Sequence, residues 1–423
     1  MKKGFFIFLI FLLALTSAKA TYILIPMDNS QTNCLKAYGI AYMVLKDGGS
    51  VEWLLNYRGG SFMFKDATEF ETACKLRNVK FEIIADAQES SILLQIANPQ
   101  VNMDAVKLEK APRIAVYSPK NKMPWDDAVT LALTYAQIPY DIIYDKDILN
   151  GCLPKYDWLH LHHEDFTGQY GKFWAAYRNA PWYQEEVKTN ETLAHEMGFK
   201  KVSQMKLAVA KKIRDFVAGG GFLFAMCSAP DSYDIALAAD GTDICPTPFD
   251  GDPADPNANK KLNYNNCFAF TGFTVDLNPY DYIKSNIDTS PTRQMKYGIT
   301  QANDYFTLFD FSAKWDPVPT MLCQDQTKII KGFWGQTTAF DLRYIKPTVT
   351  IMGENKSFGE AKYIHGDYGK GTWTFYAGHD PECYKHYVGS SPTDLSLHPN
   401  SPGYRLILNN VLFPAAKKKK RET

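Results

Sequence analysis

The sequence lacks the paired cysteines from which zinc ribbons are built. None of its eight cysteines belongs to a CxxC pair, and their irregular spacing excludes that class of site. An oxidising compartment permits disulfides, and Cys245 with Cys267 is the candidate pair to test, because these two residues bracket a polar loop that has little else to hold it. The sequence alone does not determine the disulfide connectivity. The remaining cysteines are Cys34, Cys74, Cys152, Cys227, Cys323 and Cys383.

The sequence also lacks an excess of either charge. It has 46 Lys and Arg against 46 Asp and Glu, so the net charge is 0; removing residues 1–20, which hold three lysines and no acid, would make it −3. This balance argues against a nucleic acid as partner. The one basic block, Lys417–Arg421, falls in a tail of residues 414–423 and is interpreted as solvated.

Beyond residue 20, no apolar run is long enough to span a membrane. Residues 1–20 are typical of a cleavable signal peptide, with a basic start, an apolar run over Phe5–Leu15 and small residues at Ala18 and Ala20. The mature chain is therefore expected to begin at Thr21, to be exported to the periplasm or secreted, and to have no transmembrane anchor after cleavage. A retained anchor is the alternative.

The chain does contain a regular alternation of short apolar runs with amphipathic ones, which is typical of an α/β layer fold. This pattern predicts an N-terminal α/β unit at residues 21–110 and a second α/β domain at residues 111–239 that resumes at 351–413. Between these parts, residues 240–350 are rich in Asp, Asn, Pro, Tyr and Phe. They are predicted to form an irregular insertion or cap.

The second domain has the clearer pattern. Its apolar runs are separated by helical stretches, including Trp125–Gln137, which favours a parallel sheet. Two later runs, Ala361–Ile364 and Thr372–Tyr376, flank a glycine-rich turn and predict a hairpin. The four earlier strand candidates are Ile114–Tyr117, Tyr140–Tyr144, Trp158–His162 and Phe222–Met226.

Reactive side chains fall at the ends of these strands, where open parallel sheets bind their ligands. Cys227 stands between small residues at a strand-to-helix junction, a setting that exposes a nucleophile to backbone N–H groups. His379 follows a strand, with Asp380 and Glu382 close by, and is a candidate base for activating a thiol. The alternatives are a buried structural cysteine and a hydrogen-bonded structural histidine.

A further segment, YDWLHLHHEDFTG, is rich in histidine and carboxylates. Strand alternation puts His160 and His162 on one face and His163 with Asp165 on the other until the strand ends. Beyond that end, His162, His163 and Asp165 are candidate ligands of a divalent metal, which they would bind together with His379 and Asp380; no other cofactor is expected. The candidates for binding a small-molecule, peptide or glycan ligand are His162, His163, Asp165, Gly168 and Ser228.

Four segments together resemble the class I glutamine amidotransferase-like fold: APRIAVYSP, the strand ending in HLHHEDFTG, the FVAGGGFLFAMCSA junction and GKGTWTFYAGHDPE. The resemblance covers roughly residues 111–239 and 360–413 and implies a flavodoxin-like parallel sheet. Relatives of this fold include enzymes and also proteins that bind sugars without amidase chemistry, so the fold alone does not determine the function.

The resemblance implies roles for particular residues. Cys227 takes the position of the family's nucleophile and His379 that of its base, with Glu382 or Asp380 as the acid that orients the imidazole. The chain departs from the family at both motifs. The family's G-x-C-x-G is here Ala225–Ala229, and its H-x-E is here H-D-P-E.

The wider chain, notably LIPMDNSQTNCLKAYGIAYMVL and VEWLLNYRGGSFMF, resembles a group of exported bacterial proteins named asparagine synthetase B. True asparagine synthetases use a cysteine at the mature N-terminus and a Ser-Gly-Gly-rich loop that binds ATP. Here the expected mature N-terminus is Thr21 and the sequence contains no such loop, so synthetase activity is the less favoured alternative.

Two function classes follow from these observations. The first is a Cys-His hydrolase or amidase that acts on an amide, peptide or amino-sugar substrate. The second is a non-catalytic or metal-assisted glycan-binding protein of the cell envelope, in which aromatic side chains stack on sugar rings. The aromatic candidates for that role are Trp174, Trp182, Tyr183 and Trp334.

Overall fold

The computed structural model contains two β-sheets with helices between and around them. Trp125, the expected signal peptide and the basic block at the C-terminus lie outside the described residues. No helix in the described part of the chain is long and apolar enough to cross a membrane. The described stretches are residues 21–119, 127–316, 318–323 and 327–416.

The first sheet is built by the N-terminal unit. Its elements are β1 (Thr21–Ile25), α1 (Cys34–Lys46), β2 (Val51–Leu55), β3 (Ser61–Lys65), α2 (Thr68–Leu76), β4 (Glu82–Ala85), α3 (Asp86–Ala97) and β5 (Asp104–Leu108). The spatial order is β4-β1-β3-β2-β5, and every pair is antiparallel. The sequence predicted a loss of regular structure from Val106. Instead, Val106 and Leu108 are buried in β5 at the edge of the sheet.

The rest of the described chain forms the second sheet and the helices that flank it. The first elements are β6 (Ile114–Tyr117), α4 (Ala128–Ala136), β7 (Asp141–Ile143), α5 (Asp145–Leu149), β8 (Trp158–Leu161), α6 (Trp174–Tyr177), α7 (Pro181–Glu196), α8 (Val202–Ala218), β9 (Phe222–Met226) and α9 (Ala229–Ala238). The later elements are α10 (Thr247–Asp250), α11 (Ala258–Lys261), α12 (Ser290–Tyr297), β10 (Tyr305–Leu308), β11 (Ile329–Lys331), β12 (Phe340–Asp341), β13 (Thr350–Asn355), β14 (Glu360–Tyr368), β15 (Gly371–Tyr376) and α13 (Pro402–Leu412).

The second sheet is mixed, which makes the chain a mixed α/β protein. Its order is β11-β10-β13-β14-β15-β9-β8-β6-β7, with β12 paired to β14. The five strands from β15 to β7 run parallel to one another, and the strands from β14 to β11 are antiparallel. The predicted parallel strands and the β14–β15 hairpin are therefore present. The antiparallel half combines β10 and β11, from the segment predicted as an insertion, with β13 and β14, which follow that segment.

Helix α1 lies in the core that connects the two sheets. Asn33 caps its N-terminus by accepting a hydrogen bond from the Lys36 N–H at 3.0 Å. Ten of its 13 residues are buried, so it is a core helix with little solvent-facing surface. At Gly39 the helix passes so close to α4 that an added Cβ would lie 1.7 Å from the Ala136 carbonyl oxygen. A side chain at this position would force the two helices apart.

Candidate functional site

The candidate site lies at the carboxyl edge of the neighbouring parallel strands β8, β9 and β15. Leu161 of β8 pairs with Ala225 of β9, and Tyr376 of β15 pairs with Met226 of β9. Because these strands end together, the residues that follow them lie at one edge of the sheet. Those residues are His162, His163, Cys227 and His379.

Cys227 forms the turn between β9 and α9 with a left-handed backbone, at φ +53°. Its N–H donates to the Gly378 carbonyl at 3.1 Å, and its Sγ accepts from the Gln336 N–H at 3.4 Å. The side chain is 1% exposed. Burial raises the pKa of the thiol to about 11, although the N–H groups of Gln336, Ser228 and Thr337 and the charge of Lys284 act to lower it.

Residues 333–338 form a loop over Cys227, which we call the covering loop. The N–H of Gly378 donates to the Thr337 carbonyl at 2.8 Å, and that of His379 donates to the Trp334 carbonyl at 2.9 Å. At Gly335 an added Cβ would lie 2.8 Å from backbone atoms of Gly378 and His379. The covering loop therefore packs directly on the backbone that carries His379.

A buried lysine side chain anchors the covering loop through its backbone carbonyl groups. The ammonium group of Lys362, on β14, donates to the carbonyl oxygens of Phe333 and Thr338 at 2.5 Å each and to that of Ala377 at 3.3 Å. Burial lowers the pKa of Lys362 to about 7. One side chain thus ties both ends of the covering loop to the end of β15.

Five of the eight histidines gather beside this loop and form what we call the histidine cluster. The Nε2 of His162 lies 3.0 Å from the Nδ1 of His379, and the rings of His379 and His386 stack with centroids 4.7 Å apart. The rings of His163 and His379 are 6.1 Å apart. Burial and neighbouring imidazoles hold the pKa values of His162 and His379 well below the usual histidine value. The cluster comprises His160, His162, His163, His379 and His386.

Asp127 supplies a carboxylate to the histidine cluster. It caps α4 by accepting from the Val129 and Thr130 N–H groups, and it lies 3.1 Å from the Nε2 of His160 and 3.6 Å from the Nδ1 of His162. Burial alone would raise the pKa of this carboxyl group, but the two facing imidazoles hold it well below its usual value. His160 and His162 thus share a strand face, as alternation predicted.

The residues predicted from the HLHHED segment separate into different roles. His162 and His163 join His379, whereas the Asp165 carboxylate accepts backbone N–H groups of Thr167, Gln169 and Gly171 at 2.9–3.0 Å. Asp165 therefore orders the loop after β8. The structure brings three of the predicted metal ligands together, His162, His163 and His379, and leaves Asp165 out of the group.

The two other residues predicted to contact a ligand, Gly168 and Ser228, contact neighbouring backbone segments. Gly168 has φ +80°, and an added Cβ would lie 2.7 Å from the backbone of Ser203. Ser228 donates its hydroxyl to the His163 carbonyl at 3.0 Å. Gly168 thus permits a close approach to α8, while Ser228 connects the Cys227 turn to the end of β8.

The two acids proposed to orient His379 have other contacts. The Oδ1 of Asp380 accepts the Glu382 N–H at 2.9 Å, and the Glu382 carboxylate lies 3.2 Å from the Nδ1 of His398. The other oxygen of Asp380, Oδ2, is buried and has no hydrogen-bond partner among the described residues. The carboxylate that the geometry connects to His379 is Asp127, through His162.

Aromatic side chains form a surface near Cys227. Trp174 packs against Tyr280, and the Arg178 guanidinium lies 5.1 Å from the centre of the Trp174 ring. Tyr282 is 44% exposed and packs on Phe173. Burial and, after it, the Cys227 thiol raise the pKa of Tyr282.

Two adjoining cavities of about 490 and 300 Å³ lie beside this surface, and Tyr170, Glu191 and Phe249 line both. Of the aromatic residues predicted for sugar stacking, Trp174 and Tyr183 line the smaller cavity. Trp182 packs between Phe173 and Tyr177. Trp334 lies in the covering loop with the Lys385 ammonium over its ring.

The candidate disulfide is not formed. Cys245 and Cys267 are both free thiols. The Sγ of Cys245 donates to the Thr167 carbonyl, and that of Cys267 donates to the Asp234 carbonyl, in two separate apolar clusters. The polar loop between them is held by other contacts, including those of Lys201 with Asp243 and Asp250.

Sequence reasoning missed Asp127, Lys284, Gln336 and Lys362. Asp127 has a recognisable signal as an N-cap residue before an apolar helix. Lys284, Gln336 and Lys362 reach the site through tertiary packing, and periodicity gives no indication of them. The buried ammonium of Lys284, for example, acts on the pKa values of both Cys227 and Asp231.

No known family model matches the chain, and no curated protein matches it. Among solved structures, the cytoplasmic protein STM3548 from Salmonella typhimurium is 9% identical over 72% of this chain and 100% of that chain, with a TM-score of 0.30. The cytoplasmic protein STM1381 from Salmonella typhimurium LT2 is 12% identical over 72% and 99%, with a TM-score of 0.33. A beta-galactosidase from Bacillus circulans sp. alkalophilus is 10% identical over 65% and 29%, with a TM-score of 0.25. At such low similarity, the function has to be argued from the residues of this chain.

Proposed function

We propose that this protein is an exported hydrolase of the class I glutamine amidotransferase-like type that cleaves an amide bond in a peptide or amino-sugar substrate. The observation that carries the proposal is the left-handed backbone of Cys227 at the junction of β9 and α9. The order of the parallel strands, β15-β9-β8-β6-β7, supports a flavodoxin-like arrangement of this domain.

The left-handed turn is informative because it is costly for this residue type. A non-glycine residue in this conformation costs about 1–2 kcal/mol. Cysteine has no side-chain amide or carboxylate with which to stabilise such a turn locally, so the site retains it at the expense of stability. Strain of this kind is concentrated at functional sites. The N–H groups of Ser228, Gln336 and Thr337 near its Sγ are suited to stabilise negative charge.

The proposed reaction begins with attack by the Sγ of Cys227 on an amide carbonyl carbon. The thiol proton passes to His379, which then donates it to the departing nitrogen as the carbon–nitrogen bond breaks. Water hydrolyses the resulting thioester, giving the acid and restoring the thiol. A thiol with a pKa of about 11 is protonated at neutral pH, so this reaction needs a neutral base. The buried imidazole of His379 has the required form.

Access to the thiol requires movement of the covering loop. Cys227 is 1% exposed, and the Gln336 N–H contacts its Sγ directly. A substrate that reaches the sulfur would have to displace that N–H group. We therefore place substrate binding at the covering loop.

The proposal is tested by alkylating the folded mature chain with iodoacetamide, an electrophile that carries an amide, and locating the label by peptide mass spectrometry. Cys267 is the matched control, because it is 2% exposed and its thiol is hydrogen-bonded to a backbone carbonyl. We expect Cys227 to react at least about tenfold faster than Cys267, and His379→Asn to slow it. Equal rates at the two cysteines would rule out a nucleophilic role.

Two further comparisons complete this test. His195→Asn changes an exposed histidine away from the site and should leave the Cys227 rate unchanged. Export is examined separately, by sequencing the N-terminus of the protein recovered from outside the cytoplasm. A mature chain beginning at Thr21 is expected; an intact residue 1 would contradict that part of the proposal. The sequenced N-terminus also tests the synthetase alternative, because that activity requires a cysteine at the mature N-terminus.

The aromatic surface favours a second candidate function, a glycan-binding protein of the cell envelope. Trp174 and Tyr280 pack edge to face, and Tyr280 is 69% exposed beside the 300 Å³ cavity. Exposed aromatic faces of this kind stack on sugar rings. Titration with soluble cell-wall glycan fragments, followed by calorimetry, should show binding that Trp174→Ala abolishes. Trp315→Ala, at another exposed tryptophan, is the control.

A further inference from the structure

The histidine cluster contains a set of ring nitrogens with the spacing of a metal site. One ring nitrogen from each of His162, His163 and His379 lies within 4.8 Å of the others. Zinc bonds histidine at about 2.0–2.1 Å in a tetrahedron, which sets neighbouring ligand nitrogens roughly 3.3 Å apart. The 3.0 Å between the Nε2 of His162 and the Nδ1 of His379 is close to that separation.

We propose that His162, His163 and His379 bind a divalent transition metal ion, best matched by Zn²⁺. The three imidazoles leave a fourth position of the tetrahedron for a water molecule or another exchangeable ligand. The donor set is nitrogen only, which favours zinc and its neighbours over magnesium or calcium. Two of the three side chains are buried, so the nitrogens are held in place before any ion arrives.

Asp127 provides the second observation that points to a metal. Metal-binding histidines commonly present their other ring nitrogen to a carboxylate, which fixes the tautomer and the ring orientation. The Nε2 of His162 faces His379, and its Nδ1 faces the Asp127 carboxylate at 3.6 Å. The same carboxylate contacts His160, whose Nδ1 is fixed by the Phe224 carbonyl at 3.1 Å. Asp127 is therefore an outer carboxylate that orients one ligand.

A comparison within the chain shows why this group differs from another set of metal-ligating residue types. Asp243, Cys245 and Asp250 also offer three ligand atoms at close range. Their site already holds a cation, because the Lys201 ammonium lies 2.6 Å from Asp243 and 3.1 Å from Asp250. Against His162, in contrast, lie the imidazole of His379 and the carboxylate of Asp127.

Metal binding itself does not rest on the proposed hydrolase function, but it would regulate that function. A bound ion takes up the lone pair of His379 that would otherwise accept the proton of the Cys227 thiol. The metal-loaded protein is therefore expected to be the form with the less reactive thiol. Removal of the ion would return His379 to its role as base.

The experiment strips the full mature chain with a chelator and titrates it with Co²⁺ and then Zn²⁺. Tetrahedral nitrogen ligation gives Co²⁺ a visible absorption band, and calorimetry gives the stoichiometry. We expect one ion per chain. His163→Gln should weaken binding by about 100-fold and Asp127→Asn by about 10-fold or more. His163 is the preferred ligand variant because it is only partly buried, so its replacement perturbs folding least.

His195→Gln and Asp243→Asn are the controls and should bind as the unmodified chain does. The absence of saturable binding, or equal affinity for His163→Gln and the unmodified chain, would overturn the metal site. The alkylation rate of Cys227 is measured in the same samples. Slowing by about tenfold or more with Zn²⁺ supports the regulatory role. If the protein binds metal but the stripped form alkylates Cys227 no faster than Cys267, the hydrolase function is overturned and the metal site is retained.

Discussion

Two tight turns with left-handed residues show how the two sheets differ. Between β2 and β3, Asn56 and Arg58 have φ values of 59° and 47°, and at the end of β9 Cys227 has 53°. Asparagine tolerates this conformation well. The Arg58 guanidinium is fixed by Asp28 and Glu82 at 2.8 Å each. At Cys227 the side chain is instead a buried thiol under the covering loop.

This contrast separates strain that serves the fold from strain that serves a site. In the first sheet, the residue types and their ion pairs offset the cost of the turn. At Cys227 no comparable side-chain contact compensates the backbone, while backbone N–H groups approach the sulfur. The first sheet should therefore respond to mutation through stability, and the edge of the second sheet through reactivity as well.

The largest expected effect tests the first half of this comparison. Trp53 is fully buried in the first sheet, with its ring 5.4 Å from that of Phe62. Trp53→Ala should lower the free energy of unfolding by about 3–5 kcal/mol, because it leaves a large cavity. Urea denaturation measures the loss. Trp315→Ala, at a residue 77% exposed, should change it by less than about 0.5 kcal/mol.

The comparison would fail if Trp53→Ala altered Cys227 chemistry in protein that remains folded. We expect the rate of Cys227 alkylation to be unchanged in native buffer. A change of several-fold would show that the core of the first sheet is coupled to the site.

A substitution in the covering loop should affect both stability and reactivity. Gly335→Ala places a Cβ within 2.8 Å of the Gly378 and His379 backbone, so the loop has to move. We expect a loss of about 1–3 kcal/mol in stability and faster alkylation of Cys227, since its cover is displaced. Gly219→Ala is the control, because its Cβ would have only ordinary contacts of 3.4 Å or more. Slower alkylation in Gly335→Ala would contradict the role given to the loop.

The free energy of unfolding should depend on pH in the same way through Cys227 and through Cys74. The alkylation rates of the two thiols should differ. Burial raises the pKa of Cys227 to about 11 and that of Cys74, on α2 of the N-terminal unit, to about 12. The native state therefore keeps each thiol proton above the pKa of about 8.5 of an unfolded cysteine, and stability falls as pH rises from there. Cys227→Ala and Cys74→Ala should each remove up to about 2 kcal/mol of the loss between pH 8 and 10.

Urea denaturation at several pH values checks this slope, and alkylation of the unmodified chain provides the contrast. Cys74 should react slowly at every pH at which the protein is folded. If Cys74 and Cys227 react alike, the two buried thiols are equivalent and the comparison between the regions no longer holds.

The smallest expected effect concerns an exposed ion pair on the first unit. Lys75 contacts Glu71 at 2.9 Å one turn apart on α2, and its side chain is 64% exposed. Lys75→Ala should cost no more than about 0.5 kcal/mol, and high salt should abolish the difference. A loss above about 1 kcal/mol in thermal or urea denaturation would show that the pair has a larger structural role.

The part of the site that could be predicted from the sequence is the part that strand order dictates. Buried strands ending in HLHH, MCSA and YAGH predicted that His162, Cys227 and His379 lie at strand ends, where parallel sheets bind ligands, and these strands are neighbours in the structure. The α/β class and the β14–β15 hairpin also followed from apolar periodicity and turn residues, whereas the antiparallel half of the second sheet did not.

The remainder depends on contacts between distant segments that have no local signature. Asp127 reaches His160 across 33 residues, and Gln336 reaches Cys227 across 109. The segment around Gln336 was predicted as irregular because residues 240–350 are rich in Asp, Asn, Pro, Tyr and Phe, and tertiary packing places it on the end of β15. The candidate Cys245–Cys267 disulfide does not form for a similar reason. Proximity to one polar loop does not bring two thiols together.

Helix α1 has a consequence for how the chain matures. Two hydrogen bonds connect α1 to residues near the C-terminal end of the described chain. The Tyr38 hydroxyl donates to Asn409 of α13, 371 residues later, at 2.5 Å. The Leu35 N–H donates to the carbonyl of Pro399, which precedes α13. A ribosome would therefore release almost the entire polypeptide before α1 could acquire its final neighbours. Contacts of such long sequence separation form slowly. A nascent chain of this kind completes the core around α1 only at the end of synthesis.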